Sequence, residues 1–376
     1  MEIEVNFETW KTCFAELPDP RVVGRTSHRL LDILFLTLCA VVCGMDDEEA
    51  IEEWGEVRLD WLRRFVPLEN GIPSHDTIGR VLAALKPAKF QACFVRWMAA
   101  LCPSLAGEVV AIDGKTVRGS RVTKSGVPAI HMVSAFVCGR GITLGQVKTA
   151  EKSNEIAAIP ELLDGLNLTG ATVTIDAMGC QKAIAQKLTD QGVDYVFGLK
   201  GNQSTLHDAV KTLFDVAEWQ HYRTFANWGH ADENAGHGRV ERRRCVALPC
   251  PASAPFADWP GIESVTMVES TRQAEGKITT EKRYFVSSLA SDSKRLAYAI
   301  RSHWEVENRL HWCLDMTFGE DACRVRTDHA PENLNIVRKI AMNLLRLSPL
   351  KKTLPKKRLR ACLDPGYLAQ VLGVAA

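Results

Sequence analysis

The chain has 376 residues and a formal net charge of +1 at pH 7, with a pI near 7.6. At 46% hydrophobic and 24% charged residues it has an ordinary globular composition, long enough for one large domain with an insertion or for two to three domains. The near-neutral balance excludes a uniformly basic protein, so any nucleic-acid surface has to come from local clustering of Lys and Arg.

In chain order, residues 1 to about 105 read as helical. Leu30 to Cys43 is apolar nearly all round, which predicts a buried helix. Its most apolar part, Leu30 to Val42, is broken by Asp32 and is too short to span a bilayer. Asp46 or Asp47 can cap a second helix that carries Ile51, Trp54, Leu62 and Phe65. Ser74 can cap a third with Ile78, Val81, Leu82 and Leu85, and a fourth runs from Ala88 to Leu101. This bundle reads equally as a packing or dimerisation domain and as a DNA-end binding domain, with Arg58, Arg63, Arg64, Arg80 and Lys86 available for phosphates. The 12 cysteines include no zinc-type pair of CxxC motifs and no signal peptide is visible, so the expectation is reduced thiols in the cytoplasm.

From residue 108 the periodicity changes to that of strands. Val109 to Asp113 is a short apolar run that ends in a carboxylate, followed by Gly114, Lys115 and Arg118. Ile130 to Val137 and Ile142 to Thr149 flank Gly139-Arg140-Gly141 as a hairpin. Ser153 or Asn154 can cap a helix through Leu163. Ala171 to Asp176 repeats the strand that runs into an Asp, 63 residues after Asp113 (176 − 113). A helix at Gln181 to Leu188, a strand at Tyr195 to Leu199 and a helix at Ser204 to Phe214 follow. The order β-β-β-α-β-α-β-α, with right-handed crossovers, predicts a mixed sheet with the first strand beside the fourth. That is the order of a ribonuclease-H-like α/β fold, with Asp113 and Asp176 at one sheet edge. Two carboxylates converging there suit Mg²⁺, a hard cation with oxygen ligands.

Residues 215–290 read as an inserted β-rich subdomain with strands at Arg239 to Val246, Ser264 to Thr271 and Lys277 to Ser287, the last two turning around Ala274-Glu275-Gly276. Its basic stretch, His237 to Arg244, contains Arg239, Arg242 and Arg243 and favours phosphate contact. Ile300 to Trp312 then reads as a helix with Val306, Leu310, Cys313 and Leu314 as its buried stripe and Glu305–Arg309 as a surface pair. Glu307 flanks that stripe in line with His303 and His311, and is favoured to complete a three-carboxylate site. Its rivals are Glu305, Asp315, Glu320 and Asp321. Trp304 and Trp312 are expected as core or packing residues rather than stacking platforms. Pro331 to Leu347 is a further helix, and a basic tail from 349 carries Lys351, Lys352, Lys356, Lys357, Arg358 and Arg360, which read as a solvated arm that can add salt-dependent affinity for DNA. The expected units are thus 1–105 helical, 106–214 and 291–348 the two parts of the catalytic core, 215–290 the insertion, and 349–376 the tail.

Four segments in this order resemble a bacterial insertion-sequence transposase of the DDE class, and within it the ISAs1-type family that includes the H-repeat-associated proteins. They are AIDGKTVRGS at 111–120, TIDAMGCQK to FGLKGNQ at 174–203, HGRVERR at 237–243, and HWEVEN-LHW-LDM-F-ED across 303–321. The resemblance runs from the helical domain to at least Arg346. It implies DNA cleavage at element ends and strand transfer into a target, with Asp113, Asp176 and Glu307 as a triad holding two Mg²⁺, for which Mn²⁺ can substitute. It implies double-stranded DNA as the partner, a homodimer bridging two ends, no membrane and no small-molecule substrate, and a cytoplasmic enzyme at the nucleoid when bound. Lys115, Arg118, Lys200, Asn202 and Gln203, at strand ends near the site, are expected to contact the DNA backbone, with simple ion pairing as the other reading. Related transposases carry Tyr, Arg and Lys at set offsets around the Glu. Here the positions four before and seven after Glu307 are His303 and Leu314, so the roles of Arg301, His303 and Arg309 stay open, DNA contact among them. A nuclease of the same fold that cuts without joining, and an inactive DNA-binding relic, are the alternative readings.

Overall fold

The computed structural model describes residues 4–22, 24–122, 126–149, 155–223, 225, 228–236, 239–274 and 277–374. The chain opens with five helices: α1 (Phe7–Ala15), α2 (Leu30–Cys43), α3 (Glu48–Leu62), α4 (His75–Ala84) and α5 (Pro87–Leu101). The first of these falls inside the span read as helical from the sequence but is not among the four helices assigned individually. Every residue of α2 except Leu31 is buried, as its uniform apolarity requires, and it stops where Gly44 takes a left-handed conformation at φ +105°. Asp47 caps α3 by accepting the Ala50 N–H at 2.9 Å. Ser74 occupies the position before α4 but gives that helix no side-chain cap.

The α/β part follows as β1 (Val109–Thr116), β2 (His131–Val137), β3 (Ile142–Thr149), α6 (Glu155–Asp164), β4 (Thr172–Ile175), α7 (Lys182–Asp190), β5 (Asp194–Leu199) and α8 (Ser204–Trp219). Next come β6 (Gly229–Gly236), β7 (Arg239–Pro249), β8 (Ser264–Ala274) and β9 (Lys277–Ser287). The nine strands of the described residues form one sheet in the order β3-β2-β1-β4-β5-β9-β8-β7-β6. β1 runs antiparallel to β2 and parallel to β4, and β4 runs parallel to β5, which is the mixed core sheet the element order predicts. Two details differ from expectation. β1 does not end at Asp113 but continues to Thr116, because Asp113 to Thr116 stay paired with Ser134 to His131 of β2. The strands of 215–290, four rather than three, make no sheet of their own. β9 pairs with β5 and extends the core sheet outward. The capping expectation at Ser153 and Asn154, and Glu275-Gly276 of the expected turn, lie outside the described residues.

After β9 come α9 (Ser293–His303), a π-helical stretch at Val306–His311, α10 (Trp312–Met316), α11 (Ala330–Leu347), α12 (Leu354–Leu363) and α13 (Pro365–Leu372). α11 packs against α2, α4, α5 and β3, and α12 and α13 also pack on α2, so both chain ends build one helical body. The Phe7 N–H donates to the Gly373 carbonyl at 3.1 Å and joins the first helix to the end of the last. The basic tail is therefore no solvated arm. Lys357 is buried and donates to the Leu345 and Ser348 carbonyls at 2.7 and 2.9 Å, closing the end of α11. Arg358 is buried as well, donating to the Val41 carbonyl at 2.8 Å and pairing with Asp46 at 2.7 Å. Lys351, Lys352, Lys356 and Arg360 remain exposed. Among the described residues no helix is long and apolar enough to cross a membrane.

Candidate active site

The paired register of β1 and β4 fixes the centre of the site. Ile112 stands opposite Ile175, the same 63-residue offset that separates Asp113 from Asp176, so the two carboxylates leave neighbouring parallel strands side by side. Gly114 follows Asp113 because the far side of that backbone is filled. His131 Nε2 and Glu155 Oε1 lie 2.6 Å apart there, and a Cβ at 114 would collide with both. His131 Nδ1 in turn meets Thr116 Oγ1 at 2.9 Å, which ties the pair to β1. One Asp176 oxygen accepts the backbone N–H groups of Met178 and Gly179 at 2.9 and 3.3 Å and organises the turn that follows β4.

The third element arrives from the helical segment. In the π-helical stretch an N–H reaches five residues back, as Trp312 N–H does to the Glu307 carbonyl. The predicted stripe of Val306, Leu310, Cys313 and Leu314 is buried. With that stripe inward, Glu307 and His311 both turn towards Asp113. His311 Nδ1 lies 3.7 Å from Asp113 Oδ2 and 3.5 Å from Glu307 Oε2, and one donor atom from each of the three falls within 4.8 Å of the others. The Asp113 side chain is only 19% exposed, and burial pushes its carboxyl up to about 6, opposed by His311. Two carboxylates and an imidazole converging in this way form a donor set suited to a divalent cation.

Asp113, Asp176 and Glu307 line one cavity of about 340 Å³ together with His303, Lys200, His207, Arg283, Tyr284 and Trp304. His303 Nδ1 meets Thr174 Oγ1 at 2.9 Å, and burial lowers its pKa against the pull of Asp176. Trp304 and Trp312 are not core residues: they are 46% and 58% exposed, and Arg283 lies over the Trp304 ring at 5.3 Å. Asn202 Nδ2 donates to the Ala177 carbonyl at 2.7 Å and Gln203 Nε2 to the Cys180 carbonyl at 2.9 Å, so both brace the turn behind Asp176.

The remaining expected residues sit elsewhere. Lys115 is held by Asp315 at 2.7 Å, Glu320 at 2.9 Å and Asp321 at 3.6 Å, so its ammonium is engaged internally and not offered to a phosphate. Arg118 is exposed, 3.9 Å from Asp321. Glu305 pairs with Arg309 as expected, and Arg309 also donates to the Cys138 carbonyl at 2.6 Å. The rivals to Glu307 are thus committed to other cations, with Glu320 fully buried. Arg242 pairs with Glu233, Arg243 pairs with Glu241, and Arg301 is exposed beside a second cavity that shares Arg283 and Trp304 with the first. His237, Gly238 and the side chain of Arg239 lie outside the described residues. The participant that sequence reasoning left without a role is His311. Its four-residue spacing from Glu307 was the available signal.

Among known proteins, the family described as "Transposase DDE domain" matches residues 105–344, and "DDE_Tnp_1-associated" matches residues 11–98. "Putative transposase YncI" of Escherichia coli O157:H7 is 42% identical over 362 residues, covering 95% of this chain and 92% of its own. "H repeat-associated putative transposase YhhI" of Escherichia coli K12 is 42% identical over 363 residues, covering 95% of each chain. The match of the domain across most of the chain, and of relatives along nearly all of it, means that the chain belongs to the DDE transposases of insertion sequences, enzymes that cut DNA and transfer the cut strand.

Proposed function

We propose that Asp113, Asp176 and Glu307 are the catalytic triad of this transposase, and that they hold two Mg²⁺, replaceable by Mn²⁺, at the ends of a double-stranded insertion sequence of the ISAs1 type. The observation that carries this reading is the side-by-side exit of Asp113 and Asp176 from paired strands, with Glu307 in the same cavity. When bound, divalent cations supply positive charge for activating an attacking oxygen and for stabilising the leaving oxygen of a phosphodiester. Asp113, beside Asp176 on the paired strand and facing Glu307, would hold the metal together with both. Lys200, on the cavity wall, neutralises phosphate charge, while Arg118, Arg301 and Arg242 extend the contact along the backbone. Asn202 and Gln203 act through the turn they brace and keep Asp176 aimed at the cavity. Residues 106–214 and 291–348 form the catalytic core, 215–290 adds the sheet extension over which DNA runs, and 1–105 with the C-terminal helices serves end binding or pairing of two copies. The enzyme works as a homodimer in the cytoplasm, on nucleoid DNA.

The test is nicking and joining of a DNA fragment carrying the element's own ends, with Mg²⁺ present. Wild type is expected to cut and join. Asp113→Asn and Glu307→Gln should lose at least about three orders of magnitude in rate, the size of a lost charge-stabilising group acting with others, while still binding DNA. An active Glu307→Gln variant would move the third carboxylate elsewhere. Cutting without joining by wild type would make the chain a nuclease, and end binding without cutting would make it a relic.

A further inference from the structure

We infer that His311 is a protein ligand of the catalytic cation, so that Asp113, Glu307 and His311 together form a mixed oxygen–nitrogen site that favours Mn²⁺ or Co²⁺ over Mg²⁺. This deepens the proposed function and rests on it. Four observations carry it. The imidazole is buried, only 7% of its side chain being exposed, yet its Nδ1 faces two carboxylate oxygens. Those separations, 3.7 and 3.5 Å, exceed the roughly 3.2 Å limit of a sound N–H···O hydrogen bond. They match the spacing, about 3–4 Å, of donors that share one ion at metal–ligand distances near 2.1 Å. The other ring nitrogen, Nε2, is buried with no hydrogen-bond partner among the described residues, so nothing there commits the ring to a different task.

The backbone supplies the fourth observation. An uninterrupted α-helix is the cheaper structure, and π turns of this kind persist mainly where function uses the displaced residue. Here the turn spans Val306–His311 and contains both the glutamate and the histidine that meet at Asp113. Glu307 and Asp176 bring two further carboxylates to the cavity that Asp113 lines, an acidic lining that suits a divalent ion. Imidazole nitrogen raises affinity for the later divalent ions more than for Mg²⁺, which prefers oxygen ligands and retains its waters.

The experiment uses the full chain and Mn²⁺ as the probe. Pulsed electron paramagnetic resonance on the Mn²⁺-loaded protein is expected to show coupling to one imidazole nitrogen. His311→Gln should abolish that coupling and weaken Mn²⁺ binding by about tenfold or more, while Mg²⁺ affinity, read by competition, changes much less. His311→Asn serves as a second variant, and thermal melts without metal check that both fold. Mn²⁺ bound to wild type without nitrogen coupling, or bound to His311→Gln as tightly as to wild type, overturns the inference. If in that case Asp113→Asn and Glu307→Gln still lose Mn²⁺, the triad reading stands alone. Wild type that binds no Mn²⁺ removes both.

Discussion

A carboxylate raised to about 6 is a cost carried by the folded, metal-free protein. Asp113 titrates near 3.8 when unfolded, so between roughly pH 4 and 6 the folded chain binds the extra proton. The stability that the protonated form provides is fully present below the unfolded value and is lost as pH rises through about 6. A difference of about 2 pKa units corresponds to about 3 kcal/mol. In the absence of divalent metal, Asp113→Asn is therefore expected to be more stable than wild type by up to about 3 kcal/mol at pH 7, with the gap closing towards pH 4. Urea denaturation at a series of pH values measures this, and a gap that does not change with pH contradicts it. Both Asp residues were legible in the sequence because each ends an apolar run with Gly close behind, and the strand register, which has the same 63-residue offset, sets them side by side. His311 was legible only in part: its four-residue spacing places it in line with Glu307, but its approach to Asp113 comes from the fold.

At the scale of elements, local patterns gave most of the helices and the core strands within a few residues, and element order gave the pairing of β1 with β4, while the partners of the inserted strands escaped. Nothing in Arg239–Pro249 or Lys277–Ser287 says whether these strands close on themselves or join β5. Their alternation is satisfied either way, and the choice is made by which sheet edge is open. The π turn is likewise invisible to a 3.6-residue period, because the buried stripe of Val306, Leu310, Cys313 and Leu314 reads as an ordinary helix. It yields a direct test. Asn308 is exposed and its side-chain amide donates to the Trp304 carbonyl at 3.2 Å. Deleting Asn308 lets the stretch relax to α-helix while Leu310, Cys313 and Leu314 stay packed. Glu307 and His311 are then three residues apart and no longer converge on Asp113. The variant is expected to melt close to wild type yet bind Mn²⁺ at least about tenfold more weakly. Calorimetric titration with Mn²⁺ reads the loss, and undiminished affinity would mean that the turn does not set the site.

At the scale of the whole molecule, the two chain ends are one structure, and the basic C-terminus shows why composition misled. A run of Lys and Arg after Ser348 reads as a solvated arm for DNA because charge alone is visible in the sequence. The stems of such residues can nevertheless pack, and their heads can cap helices. Lys357 fills the carbonyls at the end of α11, and Arg358 joins α2, through the Val41 carbonyl, to Asp46 ahead of α3. Its guanidinium also lies 4.3 Å from the centre of the Phe318 ring, next to the loop whose Glu320 and Asp321 hold Lys115 on β1. The contact of Arg358 with Phe318, and the loop that runs on to Glu320 and Asp321, thus link the last helices to the strand that carries Asp113. Arg358→Ala leaves Asp46 and the Val41 and Thr317 carbonyls without their donor, and is expected to cost on the order of 3 kcal/mol of stability. Removal of residues 350–376 also uncovers the faces of α2 and α11 and should prevent stable folding. A solvated arm predicts the reverse: an unchanged melting temperature and a DNA affinity that falls with a shallower dependence on salt. Thermal melting of Arg358→Ala beside Lys351→Ala, whose side chain is exposed, separates the two, because only the internal role makes the first variant markedly less stable than the second.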